Sequence, residues 1–299
     1  MDPAGSASVQ TARAEPEAER LQSVKRALAV LELLAARPEG ITPKELGQKL
    51  DLHLSTIYRL LNTLAAAGYA VPDSGLFRLG PRIAFLHHGY LAAVTPSPEA
   101  LAFVHALQQR TGETAMLNRL DGADIVSVAA VPGNLPGSHP PGYIGMAGPA
   151  HAVATGKVLL AWLPPALLTG YLDRLSREMA PRFPLANPDA FGAELARIRD
   201  AGYAVDRGGT DQRACCVAAP IFGQAGEVSM AIAVVGPCAR IKRQESTLVS
   251  IVRAVAIALG AMQTIIPSPA SAESSAASSA AAAVESAIAV LTQAMSRVR

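Results

Sequence analysis

Residues 51–70 of the 299-residue chain, DLHLSTIYRLLNTLAAAGYA, place hydrogen-bonding side chains along one side of a predicted helix. At about 100° per residue, the apolar side chains of this segment form a stripe on one face. The polar side chains lie opposite that stripe or beside it: Ser55, Thr56, Tyr58, Arg59 and Asn62. Small hydroxyl groups let a backbone approach phosphates closely, and Arg59 can reach a guanine edge or a phosphate. The spacing therefore predicts a helix that packs one face in its own domain and offers the other to a nucleic-acid groove.

The segments on either side of this helix have the order of a winged helix-turn-helix. Helical periodicity over residues 23–36 predicts a first helix. A second, short helix is predicted to begin after Thr42, where Pro43 and Glu45 complete the pattern of a capping box. Beyond the polar helix, YAVPDSGLFRLG predicts two strands around a tight turn. This order predicts a winged helix-turn-helix domain over residues 20–80, whose recognition helix enters the major groove.

The charge distribution favours the same interpretation. Residues 20–82 contain nine basic and five acidic residues, a net charge of +4, although the whole chain carries only +2. We expect Lys44, on the second helix, and Arg78, on the hairpin, to contact phosphates. An alternative stays open at this point, because the hydroxyls could instead satisfy first-turn amides while the arginine points to solvent.

Composition excludes several other classes of protein. Half of the residues are apolar and 17% are charged, so the chain can bury a sizeable core. Arg253 and Glu285 interrupt the most apolar runs, and we expect no membrane-spanning segment. Residues 1–19 are polar and acidic, without the apolar region of a secretory signal. Three cysteines, two of them adjacent, do not make a disulfide framework, and we expect a cytoplasmic protein.

Residues that could support catalysis lack the required spacing. ATGKVLL lacks the first glycine of a phosphate-binding loop, and Val158 follows its lysine. Neither the cysteines nor the six histidines have zinc-ligand spacing, so we expect no metal and no cofactor. Two alternatives to a DNA-binding regulator remain. One is an enzyme with Cys215 or Cys216 as its nucleophile, for which the sequence names no base. The other is a protein-interaction module.

Several motifs occur in the order found in one known family. STIYRLLNTL, GY and FRLG are followed by AHAVATGKVLLAWLP, IRDAGYAVD and CCVAAPIFGQAGEVSMAIAVVGP. From residue 23 to about residue 262 the chain thus resembles the IclR family of bacterial transcriptional regulators. The resemblance implies an α+β protein with an N-terminal winged helix-turn-helix domain, a linker helix over residues 81–95, and a C-terminal GAF/profilin-like effector-binding domain over residues 96–265. It also implies homodimers or tetramers on palindromic operators in double-stranded DNA, and a small-molecule effector, commonly an organic or aromatic acid.

The residue patterns of the second half agree with this resemblance. They predict a helix over residues 99–112, strands within 115–131 and 215–235, and one long helix over 241–262. With the helices on one side of the strands, such a domain is α+β.

By motif position the resemblance also implies an effector pocket. Its predicted members are Gly145, Met146, His151, Ala154, Asp206, Cys216, Ala233 and Val235. The helix that starts near residues 151–154 could aim free backbone amides at a carboxylate. Each assignment has a plainer alternative: Cys216 as a small buried apolar residue, Asp206 as a turn residue, and His151 as a histidine satisfied at a helix start.

The sequence departs from the family pattern at two places. Gly208 and Gly209 stand where relatives have acidic residues, and Ala233 and Val235 stand where relatives often have hydroxyls. Each missing hydroxyl would leave a polar ligand atom without a partner, at a cost of about 1–3 kcal/mol. We therefore expect a larger and more apolar effector, such as an aromatic or long-chain acid.

The two ends of the chain differ in composition from the residues between them. Residues 1–19 are predicted to be a disordered leader, and residues 266–283 a low-complexity linker rich in Pro, Ser and Ala. Over residues 284–299, apolar side chains recur at helical spacing and predict a short helix. That helix could dock on the body, pair with another subunit or fray.

Overall fold

A computed structural model describes residues 21–122, 124–142, 144–175, 187–208 and 213–262, together with residues 289 and 292. The chain divides into two compact units, Met1–Tyr90 (unit 1) and Leu91–Arg299 (unit 2). The predicted leader, the predicted linker over 266–283 and nearly all of the predicted C-terminal helix lie outside the described residues.

The described part of unit 1 begins with three helices and a hairpin. They are α1 (Gln22–Ala35), α2 (Pro43–Leu50), α3 (Leu54–Ala66), β1 (Ala70–Asp73) and β2 (Leu76–Leu79), the two strands being antiparallel. One apolar cluster holds them together, with Val30 and Leu34 from α1 and Phe77 from the hairpin among its members. The helices and the hairpin occur in the order that the sequence predicts.

Local interactions explain why α2 begins where it does. The Glu45 backbone N–H donates to Thr42 Oγ1 (3.2 Å), and the Thr42 N–H donates to Glu45 Oε2 (3.0 Å), which completes the predicted capping box. Hydrogen bonds from the Thr42 backbone and side chain lower the pKa of the Glu45 carboxyl. Ile41 and Leu46, which flank the first turn of α2, are both buried. Ile41 also pairs with Phe77 of β2, which ties the hairpin to the start of α2.

The described part of unit 2 is built on one six-stranded antiparallel sheet. It follows α4 (Arg82–Val94), which spans the division between the units. Its strands are β3 (Thr114–Asp121), β4 (Asp124–Val131), β5 (Ala147–Pro149), β6 (Ala204–Asp206), β7 (Ala214–Phe222) and β8 (Val228–Pro237), in the order β5-β4-β3-β8-β7-β6. Its helices are α5 (Pro98–Thr111), α6 (Ala154–Ala161), α7 (Pro165–Arg174), α8 (Pro188–Ala201), α9 (Cys238–Arg243) and α10 (Glu245–Gly260).

Both faces of this sheet are covered, which corrects the expectation of helices on one side. Ala218, Ala231 and Ala233 belong to the same apolar cluster as residues of α6, α7 and α8. Their neighbours along the strands, such as Val217 and Ile232, point to the other face and are equally buried. Since α5 and α10 also contact the sheet, we assign them to that second face. The fold remains α+β.

Two further expectations need correction in unit 2. The predicted long helix over residues 241–262 is two helices, α9 and α10, separated at Gln244. A disulfide joins Cys215 of β7 to Cys238 at the start of α9, a pairing that the spacing of the cysteines did not predict. Of the predicted C-terminal helix, residues 289 and 292 are described as helical, and Arg110 Nη1 of α5 donates to Thr292 Oγ1 (3.2 Å).

Candidate DNA-binding surface and effector cavity

The two faces of α3 divide as the sequence predicts. Ile57, Leu61 and Leu64 are buried in the core of unit 1. The opposite face is solvent-exposed, and it carries Ser55, Tyr58, Arg59 and Asn62, with Thr56 half-buried at its edge. An exposed polar face of this kind needs no partner within its own unit, so it is available to DNA. Contact of these side chains with a groove stays a prediction.

The N-terminal end of α3 argues against the capping alternative. The helix begins at Leu54 with His53 as its N-cap, and no side chain caps it. The hydroxyls of Ser55 and Thr56 are therefore not used as N-caps. Farther along, Thr63 Oγ1 donates to the Arg59 carbonyl (2.8 Å), which uses that hydroxyl inside the helix.

The two predicted phosphate contacts differ in their surroundings. Lys44 is exposed in the first turn of α2, where the positive end of the helix dipole adds to its charge. The Arg78 guanidinium instead forms an ion pair with Asp73 (3.0 Å) across the hairpin and donates to the Glu39 carbonyl (3.2 Å). Arg78 thus braces the hairpin against the end of the α1–α2 connection. Its side chain is half-exposed, and phosphate contact by Arg78 stays a prediction.

A cavity of about 170 Å³ lies on one face of the sheet of unit 2. It brings together five of the residues predicted to bind an effector: Met146, Asp206, Cys216, Ala233 and Val235. The other lining residues are Met116, Asn118, Ile125, His139, Pro140, Pro141, Val153, Thr155, Ala214 and Cys215. The walls are largely apolar, with a few polar groups, as expected of a small-molecule site.

Strand register explains how residues so far apart in sequence meet here. Asp206 of β6 pairs with Cys216 of β7, and Cys216 pairs with Val235 of β8. Val235 in turn pairs with Thr114 of β3. Directly paired residues of antiparallel strands point to the same face, so these side chains form one row across the sheet (the cavity row). Met116, two residues along β3 from Thr114, shares that face.

Three predicted pocket residues do not line the cavity. His151 is buried, its Nδ1 lies 2.9 Å from the Tyr171 hydroxyl, and its backbone N–H donates to the same oxygen (2.9 Å). His151 thus matches its plainer alternative, a satisfied histidine beside the start of α6. Ala154 is packed in the apolar cluster of α6–α8, and the Gly145 N–H donates to the Ser127 carbonyl (2.8 Å) on β4.

The structure also adds polar residues that sequence reasoning missed. Asn118 is 2% exposed, its Nδ2 donates to Thr155 Oγ1 (3.2 Å), and its Oδ1 has no hydrogen-bond partner among the described residues. His139 lies in the connection between β4 and β5. A polar residue inside the buried strand around Asn118 was a usable signal, since such positions are rarely polar without a reason. No local pattern marked His139.

The cysteines of the cavity are poor nucleophiles. Cys215 is bonded to Cys238. Burial, and to a smaller extent the charge of Asp206, raise the pKa of the Cys216 thiol above its ordinary value. Because the thiolate is the reactive form, this environment suppresses covalent catalysis by Cys216.

Two structural features do not occur among the described residues. No helix there is both long and apolar enough to cross a membrane. Within the same residues, no group of three or more His, Cys, Asp or Glu side chains is arranged to hold a metal ion.

Each of the two units matches a known protein family. A family model described as the IclR helix-turn-helix domain matches residues 23–74, and one described as the C-terminal domain of bacterial transcriptional regulator IclR matches residues 89–261. The HTH-type transcriptional regulator XynR of Escherichia coli K12 is 32% identical over 214 residues, covering 71% of this chain and 84% of XynR. BhcR of Paracoccus denitrificans is 35% identical over 225 residues, covering 74% of this chain and 79% of BhcR.

Solved structures show the same architecture. A transcriptional regulator from Rhodococcus sp. RHA1 superimposes with a TM-score of 0.64 at 30% identity, covering 81% of this chain and 97% of that one. The IclR protein of Thermotoga maritima matches with a TM-score of 0.59 at 24% identity, over 81% of this chain and all of that one, which shows the shared fold.

A winged helix-turn-helix followed by a sheet with a ligand-sized cavity defines a DNA-binding regulator with an effector-binding domain. The chain belongs to the IclR family of bacterial transcriptional regulators. The matched families and the relatives named above are regulators of transcription, which confirms the prediction that this chain is not an enzyme.

Proposed function

We propose that this protein is a homodimeric, cytoplasmic regulator that binds a near-palindromic operator through α3 and responds to an organic acid bound in the cavity of unit 2. The observation that carries the DNA-binding part is the exposed polar face of α3, set against a buried stripe on the same helix. A palindromic operator presents two equal half-sites about one DNA turn apart, so two copies of α3 are needed to occupy it.

The position of each polar residue in unit 1 suggests which part of the DNA it would contact. Ser55, Thr56, Tyr58, Arg59 and Asn62 would meet base edges or the groove walls, whereas Lys44 and Arg78 would meet phosphates. Arg59 is the residue best suited to a guanine, because its guanidinium can donate two parallel hydrogen bonds.

A gel-shift titration with DNA from the region upstream of the gene tests this proposal. If Arg59 reads a base, Arg59→Ala should weaken operator binding by about 1–3 kcal/mol and relax sequence preference at one position. If it meets a phosphate, the variant should weaken binding to all sequences alike. Lys49→Ala is the matched control, since Lys49 is also exposed but lies in the last turn of α2. Unchanged operator affinity in Arg59→Ala would remove Arg59 from the interface.

The size of the cavity narrows the class of effector. Pockets for drug-sized ligands are about 300–1,000 Å³, and this one is about 170 Å³. Ala233 and Val235 leave its sheet side without hydroxyls, which favours an apolar body over a strongly hydrated one. We therefore propose a compact, single-ring aromatic acid and no longer a long-chain acid.

Thermal-shift screening with acids of graded size tests this choice. Stabilisation by single-ring aromatic acids, with little response to glyoxylate-sized acids, is the expected result. The reverse order of response would overturn the preference for an apolar effector while leaving DNA binding untouched.

A further inference from the structure

We propose that His139 receives the carboxylate of the acid effector and thereby decides which ligands the cavity accepts. This inference rests on the proposed effector-binding role of unit 2. It names a side chain outside the set expected from motif positions.

The lining residues offer an acid few partners. Among the described lining residues, three carry ionisable side chains, His139, Asp206 and Cys216, and none is a Lys or an Arg. Asp206 contributes an acidic group, which disfavours a bound anion, and desolvation raises the pKa of the half-buried Cys216 thiol. The Asn118 amide donates one of its two N–H groups to the Thr155 hydroxyl, and both of these side chains are uncharged. Within this described set, His139 is the residue whose side chain can offer an acid a positive charge.

The cavity row places His139 and Asp206 at opposite ends. The row runs from Thr114 on β3 through β8 and β7 to Asp206 on β6, which makes three strand spacings. At about 4.8 Å per spacing, Thr114 and Asp206 are roughly 14 Å apart. The Thr114 hydroxyl donates to the backbone carbonyl of His139, so His139 sits at the β3 end. A bound carboxylate is favoured at that end and disfavoured at the other.

The backbone around His139 is held in place before any ligand arrives. Thr114 Oγ1, which donates to the His139 carbonyl, also accepts from the Gly133 N–H (3.0 Å). Arg240 of α9 donates to the Pro136 carbonyl (2.6 Å). Ser138 Oγ donates to Glu113 Oε2 (3.3 Å), a carboxylate that is itself bound by Arg240. A site fixed in this way loses little conformational entropy when it binds a ligand.

Calorimetric titration with matched ligands tests the proposal. Benzoate and benzamide have nearly the same shape, and only benzoate carries a charge, while acetate serves as a smaller acid. In His139→Ala we expect the Kd for benzoate to rise at least about tenfold, because hydrogen bonds to charged groups are the stronger ones. The Kd for benzamide should change less than about twofold, and His139→Lys should restore most of the acid affinity. His105→Gln, at an exposed position of α5, is the matched control.

Each other result counts against the proposal. An unchanged Kd for benzoate in His139→Ala would overturn it, and so would equal losses for benzoate and benzamide, which would show a purely structural role. Absence of saturable binding of both benzoate and acetate to the unaltered chain would overturn it as well. Gel shifts without ligand separate this failure from that of the proposed regulator, since His139→Ala should bind promoter DNA as the unaltered chain does.

Discussion

The exposed face of α3 and the cavity of unit 2 are assembled over very different distances in the sequence. The residues predicted for the DNA groove all lie within residues 55–62, on one helix. The cavity draws on the strands β3, β4, β6, β7 and β8, on the helix α6 and on two connecting segments, with lining residues from Met116 to Val235. Helical periodicity alone separates the two faces of α3, whereas the cavity exists only when the strands pair in one register.

The exposed face of α3 and the cavity of unit 2 should respond differently to substitution. A substitution on the exposed face of α3 should change DNA affinity and leave folding unaffected, because those side chains contact no core. A substitution among the contacts that hold the cavity together should reduce the stability of unit 2 first and affect ligand binding as a consequence.

The largest effect is expected from Arg240→Ala. Glu113 is 2% exposed, and Arg240 forms an ion pair with it. Removing one member of a buried ion pair leaves a buried charge without compensation and costs about 3–5 kcal/mol. The free energy of unfolding of unit 2 should fall by that amount. Urea denaturation monitored by fluorescence measures it, since the single tryptophan of the chain, Trp162, lies in unit 2 and packs edge-on against Phe222.

Arg243→Ala provides the matched control for this experiment. Arg243 lies on the same helix, α9, and is exposed to solvent. Removing this side chain should change the free energy of unfolding, as measured by Trp162 fluorescence, by no more than about 0.5 kcal/mol. Equal shifts in the two variants would show that the Glu113–Arg240 contact does not hold this part of unit 2.

A second effect is the pH dependence of the stability of unit 2. It tests the hydrogen bond between His151 and Tyr171, which holds His151 outside the cavity lining. Burial raises the pKa of Tyr171 from 10.0 to about 12, although the hydrogen bond from the His151 backbone acts in the opposite direction. The unfolded chain therefore loses this proton at lower pH than the folded one. Stability contributed by the buried phenol is complete below about pH 10 and is lost as the pH rises towards 12.

Difference absorbance of the phenolate measures this titration. Subtracting the spectrum of Tyr171→Phe from that of the unaltered chain isolates Tyr171. A midpoint near its ordinary value of 10.0 would show that the phenol is not buried against His151.

These cases show what could be read from the sequence and what could not. The winged helix-turn-helix was predictable because its signals are local: the capping box at Thr42, the stripe of α3 and the Ser-Gly turn of the hairpin. His151 was misplaced because its partner, Tyr171, lies 20 residues away, and nothing in the motif announces that hydrogen bond. Neither Gly nor Pro marks the break at Gln244 between α9 and α10.

Contacts far apart in sequence account for the remaining differences. α9 is tied to β7 by the disulfide between Cys215 and Cys238, and to the start of β3 by Arg240. The five predicted lining residues were found because the family resemblance carries information about register that single-sequence periodicity lacks. His139 was missed because it lies in an irregular connection, whose path depends on Thr114 and Arg240.

The smallest effect is expected where stability is most local. Thr42→Ala should lower the free energy of unfolding of unit 1 by about 1 kcal/mol, because it removes the side chain that accepts from the Glu45 N–H. Hydrogen exchange of the backbone amides in α2 and α3 measures this loss of stability. Tryptophan fluorescence cannot report on it, because the single tryptophan of the chain, Trp162, lies in unit 2. Thr63→Ala is the control, since its hydroxyl bonds within α3 and caps no helix end. A comparable loss of stability in both variants would show that the Thr42 cap does not contribute specifically to the stability of unit 1.

The capping interaction also has a definite pH dependence. Because hydrogen bonds from Thr42 lower the pKa of Glu45, the folded state prefers the ionised carboxyl. Its contribution is present above the unfolded-state pKa and is lost as the pH falls through the lowered folded-state value. Glu45→Gln, which can still accept a hydrogen bond, should abolish this acid dependence at α2 while Thr42 continues to accept from residue 45. Persistence of the same acid dependence in Glu45→Gln would assign it to another carboxyl group of unit 1 and leave the cap as a neutral, geometric signal.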